Sequence, residues 1–395
     1  MAEDYSQESL KKHKELKGKL EVNVKAHLKN AHDLSIYYTP GVAAPCLEIA
    51  QNKELAYDYT IKGSTVAIIS DGSRVLGLGN IGAEAGLPVM EGKAMLLKEL
   101  ANVNAFPIMV KSQKAEDIIQ VVENIAPSFG AINLEDIETP KAFQVWEQLQ
   151  NIGIPVFHDD QQGTAITVRA ALTNALKVVG KEWPNLKIVM TGAGAAGLAV
   201  AKFLSCLGHD RNVCLAPKEL IIFDAKGPLN SLRMDLNPWQ QELLQNIQPK
   251  NFTGTLKDAM KNADVFIGLS APGIVSKEMI QSMNKNAIVF ALANPVPEIM
   301  PEEALKAGAK IVASGRSDSI NQVNNSLAFP AVFKGLLQAR AKKYTKEIEL
   351  VAAQALAEYV KKPDENHILP DRLDKKAVDY VAEKIAEAIQ KEQLE

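Results

Sequence analysis

Gly192, Gly194 and Gly197 form a G-x-G-x-x-G turn that directly follows the β-branched run Lys187-Ile-Val-Met190 and opens a stretch of small residues, Leu198-Ala-Val-Ala-Lys202. Few arrangements constrain a chain more. Strand, bare-backbone turn and helix together make the first unit of a dinucleotide fold, in which a pyrophosphate rests on the free N–H groups and positive dipole of the helix N-terminus. Gly192, Ala193, Gly194, Ala195, Ala196 and Gly197 are therefore the candidate coenzyme loop. The next strand, Glu219-Leu-Ile-Ile-Phe223, ends in Asp224, an acid placed to accept hydrogen bonds from ribose hydroxyls. Asp224 lies beyond the usual spacing of about 20 residues from such a loop, and residues 208–218 read as the extra connection.

The same pattern occurs earlier, at Gly77, Gly79 and Gly82, but in a different context. It follows the turn Asp71-Gly72-Ser73, its helix is expected only from about Pro88, and the next strand ends in Lys111 instead of an acid. This copy reads as a tight turn that lets another segment pack closely, and not as a second coenzyme loop.

Around both copies, short β-branched runs alternate with longer helix-like segments. That rhythm predicts an α/β fold with parallel sheets. Strands are expected at Thr65–Ser70, Phe106–Val110, Ala131–Leu134 and Pro155–Phe157, then again from Lys187 onward in the beat of a doubly wound sheet. Gly180-Lys-Glu-Trp-Pro-Asn185 is the clearest linker, and from Pro330 the chain is mostly helical. At 395 residues the chain has room for two or three domains. Its formal charge of −3 gives it no overall field to hold a phosphate backbone, which disfavours nucleic acid. Apolar runs such as Ala287-Ile-Val-Phe-Ala-Leu-Ala293 are far short of the roughly 20 residues that span a bilayer, so no membrane partner is expected. Cys46, Cys206 and Cys214 are odd in number and contain no Cys-x-x-Cys pair. They argue against a disulfide framework or thiolate zinc site, and for a reducing, cytoplasmic setting.

The chemistry gathers in two acidic pairs. Glu135-Asp136 follows one predicted strand and Asp159-Asp160 follows another. In a parallel sheet both pairs fall at carboxyl ends, the edge where ligands bind. Four acids at one edge repel each other unless a cation or raised pKa values compensate, and hard oxygen ligands without thiolates suit Mg²⁺ or Mn²⁺. Helix capping would explain either pair alone; both at equivalent places favour metal. His158 stands beside them and reads as a packing neighbour. Tyr38 and Lys93 carry no motif on physical grounds, one preceding a turn and the other opening the body of an apolar helix.

Several ordered stretches nevertheless resemble the malic enzymes of the short bacterial type. They are Ser35-Ile-Tyr-Tyr-Thr-Pro-Gly-Val-Ala43, Arg74-Val-Leu-Gly-Leu-Gly-Asn-Ile-Gly82, Gly92-Lys93, Asn133-Leu-Glu-Asp136 and Phe157-His-Asp-Asp-Gln-Gln-Gly-Thr164. The glycine loop, Ala293-Asn-Pro295 and Asn324-Asn-Ser-Leu-Ala-Phe-Pro330 continue the series. One departure is Gln162, where short-type relatives often carry His.

The resemblance implies oxidative decarboxylation of L-malate to pyruvate and CO₂ with reduction of NAD, and a homodimer or higher homo-oligomer. It implies an α/β substrate and metal domain over 1–163, a Rossmann-type coenzyme domain over 164–325, and helices over 326–395 that return to the first domain. Carried over residue by residue, Glu135, Asp136 and Asp160 would hold the divalent ion. Lys93 would be the general base, with Asp159 tuning it and its neutral form accessible beside the metal. Tyr38 would be the general acid that protonates the enolate. Arg74, Asn294 and Asn325 would hold substrate carboxylates, Asn294 also near the nicotinamide. NADP is disfavoured because Asp224 would repel a 2′-phosphate, although Lys226 and Arg233 soften this. NADP-type relatives usually add a lysine beyond Arg233, near Gln241 here. Two rivals are a malolactic enzyme, which returns the hydride and releases lactate, and a catalytically silent coenzyme sensor.

Overall fold

The computed structural model describes residues 5–316 and 319–394. Ten strands run in chain order: β1 (Thr65–Ser70), β2 (Asn104–Met109), β3 (Ala131–Leu134), β4 (Val156–His158), β5 (Lys187–Thr191), β6 (Glu219–Asp224), β7 (Gly227–Pro228), β8 (Val265–Gly268), β9 (Ile288–Ala291) and β10 (Ile311–Ser314). They form two sheets. The first has the order β2-β1-β3-β4 and is parallel throughout. The second has the order β10-β9-β8-β5-β6-β7, parallel except for the short β6–β7 pair. Parallel neighbours need long crossovers, so every crossover helix must cover a sheet face and the strands are buried on both sides. The continuous apolar runs of β1 and β9 are the sequence trace of that burial.

Each sheet reverses its winding once, between β1 and β3 in the first and between β5 and β8 in the second. Such switch points open a crevice outside the strands' carboxyl ends. One core joins the two sheets: Val66 and Ile68 of β1, Met90 and Leu97 of the helix Ala83–Ala101, and Ile188 and Met190 of β5 belong to a single apolar cluster. The helix Thr164–Val179 runs through its middle and buries eleven side chains, from Ala165 to Leu176.

Three helices close the chain: Phe329–Gln338, Lys346–Tyr359 and Lys375–Leu394. The first and third pack on the helix Ala83–Ala101, which brings the C-terminal segment back onto the first sheet's cover.

Two expectations are corrected. The helix after the first glycine pattern begins at Ala83, immediately after Gly82, and runs through Pro88. A proline suggests a helix start because its missing donor is harmless there, but buried Ala83, Gly86 and Met90 anchor the earlier turn to the core. The cysteines are also not all free. Cys206 and Cys214, with Cα atoms 5.7 Å apart, are joined by a disulfide that closes the loop after the helix Ala195–Leu204, leaving Cys46 exposed. No helix among the described residues is long and apolar enough to cross a membrane.

Gly335 marks the tightest crossing of the C-terminal helices. A Cβ there would meet the Ala382 carbonyl oxygen at 2.7 Å and Ile385 at 2.8 Å. Forced overpacking of this kind costs about 1–3 kcal/mol. Gly335→Val is expected to lower the unfolding free energy by that amount in urea titrations. An unchanged midpoint would contradict the docked geometry of this helix pair.

Candidate active site

β3 and β4 are adjacent and parallel, so the residues that follow them emerge side by side. Glu135 and Asp136 leave β3, while Asp159 and Asp160 sit in a single π-helical turn, Asp159–Gly163, between β4 and the helix Thr164–Val179. Single π turns recur at functional sites. One carboxylate oxygen each from Glu135, Asp136 and Asp160 lies within 4.8 Å of the other two. The three acids grouped in the sequence therefore converge at one place.

The local backbone is built for this convergence. Asp136 adopts φ +53°, a left-handed conformation that costs a non-glycine residue about 1–3 kcal/mol and is tolerated where the surroundings over-determine it. Its N–H donates to Asp160 Oδ2 at 2.9 Å, and its carbonyl accepts from Arg74 N at 3.1 Å. Asn133 Nδ2 donates to Glu135 Oε2 at 2.9 Å and fixes that carboxylate from below. Asn133 was missed in the sequence reading of the site's roles; a polar residue inside the otherwise apolar Ala131-Ile-Asn-Leu134 was the available signal.

Lys93 arrives from the helix Ala83–Ala101. Its Nζ contacts Asp159, lies 2.9 Å from Glu135 Oε1, and sits 4.7 Å from the Phe329 ring centroid. Burial works against its ammonium form, but Asp159, Glu135 and Asp160 outweigh burial and hold its pKa above the ordinary lysine value. With the carboxylates alone around it, the ammonium form of Lys93 is favoured. Burial pushes Glu135 well up, Asp136 to about 7 and Asp159 to about 6, with Lys93 opposing each rise. His158 is fully buried, which lowers its pKa to about 4, and neither ring nitrogen has a hydrogen-bond partner. Gln162, the departure from the short-type pattern, turns its Oε1 to the His158 N–H at 2.8 Å and away from the acids.

The donor set fits a hard divalent cation on its own evidence. All three candidate ligands are carboxylates, and Asp136 Oδ2 is buried with no partner. Mutual repulsion and burial raise the pKa of Glu135 and of Asp136, a cost that a bound cation reverses.

Opposite this edge lies the second sheet's crevice. The Gly192–Gly197 loop leaves β5 and enters the helix Ala195–Leu204. Gly192 has φ +101°, and a Cβ there would strike the Leu269 carbonyl oxygen; one on Gly197 would strike the Gly192 carbonyl. Only glycine fits either place. Arg74 joins the two crevices, its Nη1 lying 3.3 Å from where a Cβ on Gly194 would stand. The first glycine pattern packs at the same junction, Gly77 facing Asn294 and Pro295. Asn325 flanks Gly163 beside Asp159.

Buried Glu298 is a further residue the sequence reading passed over. Its carboxylate accepts from Ser270 N at 2.8 Å and Ala293 N at 3.1 Å, tying the loops after β8 and β9 together beside Asn294. At the end of β6, Asp224 is held bidentately by Arg233, Nη1–Oδ1 and Nη2–Oδ2 both at 2.8 Å, and Arg233 also reaches Asp235 at 3.0 Å. Asp224 thus presents a neutralised pair, and its repulsion of a 2′-phosphate is weaker than the sequence alone implies.

Tyr38 stands apart. It caps the helix Ala31–Tyr37, is 66% exposed, and makes no side-chain hydrogen bond to Lys93 or to any of the acids among the described residues.

Two family models match the chain: the malic enzyme N-terminal domain over residues 17–150, and the malic enzyme NAD binding domain over residues 161–394. A bifunctional malic/malolactic enzyme of Bacillus subtilis (strain 168) is 46% identical, covering 97% of this chain and 92% of its own. An NAD-dependent malic enzyme of Geobacillus stearothermophilus is 47% identical over 94% of this chain and 76% of its own. NADP-dependent malic enzymes match at 42–44% identity. The crystal structure of an NAD-dependent malic enzyme from Thermotoga maritima superposes with a TM-score of 0.91 at 44% identity, covering 96% of this chain and 98% of that one. The chain belongs to the malic enzyme family.

Proposed function

We propose that this chain converts L-malate to pyruvate and CO₂, passing the hydride to NAD⁺, with Mg²⁺ or Mn²⁺ held by Glu135, Asp136 and Asp160. The observation that carries the reading is the convergence of three carboxylate oxygens within 4.8 Å beside the Lys93–Asp159 contact. A divalent ion held by these three carboxylates would supply Lewis-acid charge to the oxygens of the substrate. Lys93 takes the C2 hydroxyl proton. Asp159 foremost, with Glu135 and Asp160, keeps it protonated, so committing Glu135 and Asp160 to the cation would ease this transfer. Asp159, fully buried against Lys93, stays to orient its Nζ. Arg74, Asn294 and Asn325, placed between the two crevices, are suited to hold the substrate carboxylates.

Tyr38 is the proposed acid toward the enolate carbon C3. Its exposure bears on the expected homodimer. The helices Ser6–Leu16, Ala31–Tyr37 and Ala43–Gln51 bury no residue, and Leu10, Val22, Val24, Leu34 and Ile36 are exposed along the same segment. Isolated exposed apolar residues are ordinary, whereas this many along one N-terminal segment fit a surface that a partner covers. A second copy covering this face would also supply a Tyr38 from outside the chain whose acids it meets.

A second reading is favoured by one observation, the bifunctional name of the Bacillus subtilis relative. A malolactic outcome would use the same residues and end in lactate. A silent coenzyme sensor gains no support, since the acids and Lys93 meet in one cluster. Incubation with L-malate, Mn²⁺ and NAD⁺ is expected to accumulate NADH and pyruvate; lactate without NADH would replace this reading with the malolactic one. Lys93→Ala is expected to abolish NADH formation at neutral pH, whereas Tyr38→Phe should still decarboxylate added oxaloacetate.

The coenzyme preference rests on what is missing beyond Arg233. Gln241 spends its amide on the Leu236 carbonyl at 2.9 Å, leaving no cation at the place expected of NADP-type relatives. One absent phosphate-pairing cation is worth about 1.5–3 kcal/mol, roughly ten- to a hundredfold. kcat/KM for NAD⁺ is expected to exceed that for NADP⁺ by this factor, with Gln241→Lys narrowing the gap. Parity in the parent protein would overturn the preference.

A further inference from the structure

Asp71 is completely buried, yet it lies in no strand or helix. It opens the loop after β1 that carries Arg74. Asp71 Oδ1 accepts from Ser73 N at 3.0 Å and from Ser73 Oγ at 2.6 Å. Asp71 Oδ2 receives Lys141 Nζ at 2.5 Å. The Ser73 hydroxyl in turn accepts from Glu138 N at 2.9 Å. Lys141 also donates to the Gln113 carbonyl at 3.0 Å, and Gln113 Nε2 donates to the Asp71 carbonyl at 3.3 Å. One carboxylate therefore knots together the three loops that leave β1, β2 and β3.

Two of those loops carry the groups assigned above to substrate and metal. Arg74 follows Ser73 directly, and its N–H donates to the Asp136 carbonyl. Asp136 stands two residues before Glu138, in a left-handed conformation that its surroundings must enforce. The knot lies at the switch point of the first sheet, where the chain offers no regular ladder to fix the loops. Removing the Lys141 ammonium would leave the Asp71 carboxylate buried without its cation, and relief requires the β1 loop to move. Arg74 and Asp136 would move with it.

We infer that Asp71 and Lys141 are positioning residues: their ion pair sets the separation between Arg74 and the Glu135–Asp136 pair, and so tunes metal and malate affinity together without touching either ligand. The inference rests on the proposed reading of those residues. It predicts a linked loss. Partners behind metal ligands typically change metal affinity or activity on the order of ten- to a hundredfold.

The test uses the full-length protein and three variants. Lys141→Met keeps the aliphatic stem and deletes the charge. Mn²⁺ affinity measured by electron paramagnetic resonance without substrate, and malate KM measured at saturating Mn²⁺, are both expected to worsen by about tenfold. The NAD⁺ dissociation constant, read by fluorescence, should change much less than these two, because the coenzyme loop is carried by the other sheet, although its Gly194 lies against Arg74. Lys141→Arg should recover most of both losses. Ser73→Ala, which removes the hydroxyl linking Asp71 Oδ1 to the Glu138 N–H, should shift the same two constants in the same direction and covers the case in which Lys141→Met does not fold. A Lys141→Met or Ser73→Ala protein that binds Mn²⁺ and malate as the parent does, whatever its Tm, overturns the inference. Equal loss of NAD⁺ binding would also overturn it, as general damage. A parent protein that binds no Mn²⁺ would sink the functional reading and this inference together, whereas a Mn²⁺-binding parent matched by unchanged variants sinks this inference alone.

Discussion

Lys93 is what allows Glu135, Asp136, Asp159 and Asp160 to share one edge of the first sheet. Two like charges about 4 Å apart repel by roughly 4 kcal/mol at an effective dielectric of 20, and Glu135, Asp136 and Asp160 come within 4.8 Å of one another. A single ammonium touching Asp159 and Glu135 offsets part of this. Burial first, and the remaining repulsion after it, hold Glu135, Asp136 and Asp159 above their usual range. A fold that only needed stability would replace such a cluster with apolar residues of similar volume. Retaining it leaves an edge that is short of positive charge, and that deficit explains why a divalent cation is the natural guest.

The same edge depends on topology. In a parallel sheet all carboxyl ends point one way, so acids that follow different strands meet without any contact between the strands' own sequences. The second sheet repeats the device, with its glycine loop and the Ser270 loop at the β5–β8 switch point. Ser270 Oγ and Thr191 Oγ1, 2.8 Å apart, close that crevice from below. The two crevices share Arg74, which leaves the first sheet and lies against Gly194 of the second. A hydride can pass only between groups that meet across this line, so the relative placement of the sheets is itself part of the chemistry.

Much of this was readable from the chain. The strands were legible because β-branched runs bounded by turn residues have few alternatives, and the acids were legible because they follow those runs. Lys93 was not. A lysine in an apolar helix looks like any side chain that snorkels to solvent, and what gives it meaning is Asp159, more than sixty residues away. Only resemblance singled it out. The cysteines fail for a related reason: counting them says nothing of the turn that brings Cys206 and Cys214 together. Pro88 misled because a proline's local preference is weak against a helix whose earlier turn is already buried.

Asp224 shows how far a charge seen in sequence can differ from the charge a ligand meets. The acid at the end of β6 is present as expected, but Arg233 spans it with two hydrogen bonds and is itself shared with Asp235, to which Lys226 adds a fourth member. The hydrogen bonds that Arg233 donates to Asp224 and Asp235 hold it above its ordinary pKa, so the guanidinium stays charged and stays committed. A ribose hydroxyl still finds acceptors on such a pair. A 2′-phosphate finds a guanidinium already engaged, and would have to break a bidentate contact to use it. In the proposed preference for NAD⁺, selection against the phosphate would therefore come less from repulsion by Asp224 than from Gln241 standing where a second, uncommitted cation would be needed, which puts the proposed discriminating position on the helix Pro238–Asn246 and not on the strand that carries the acid.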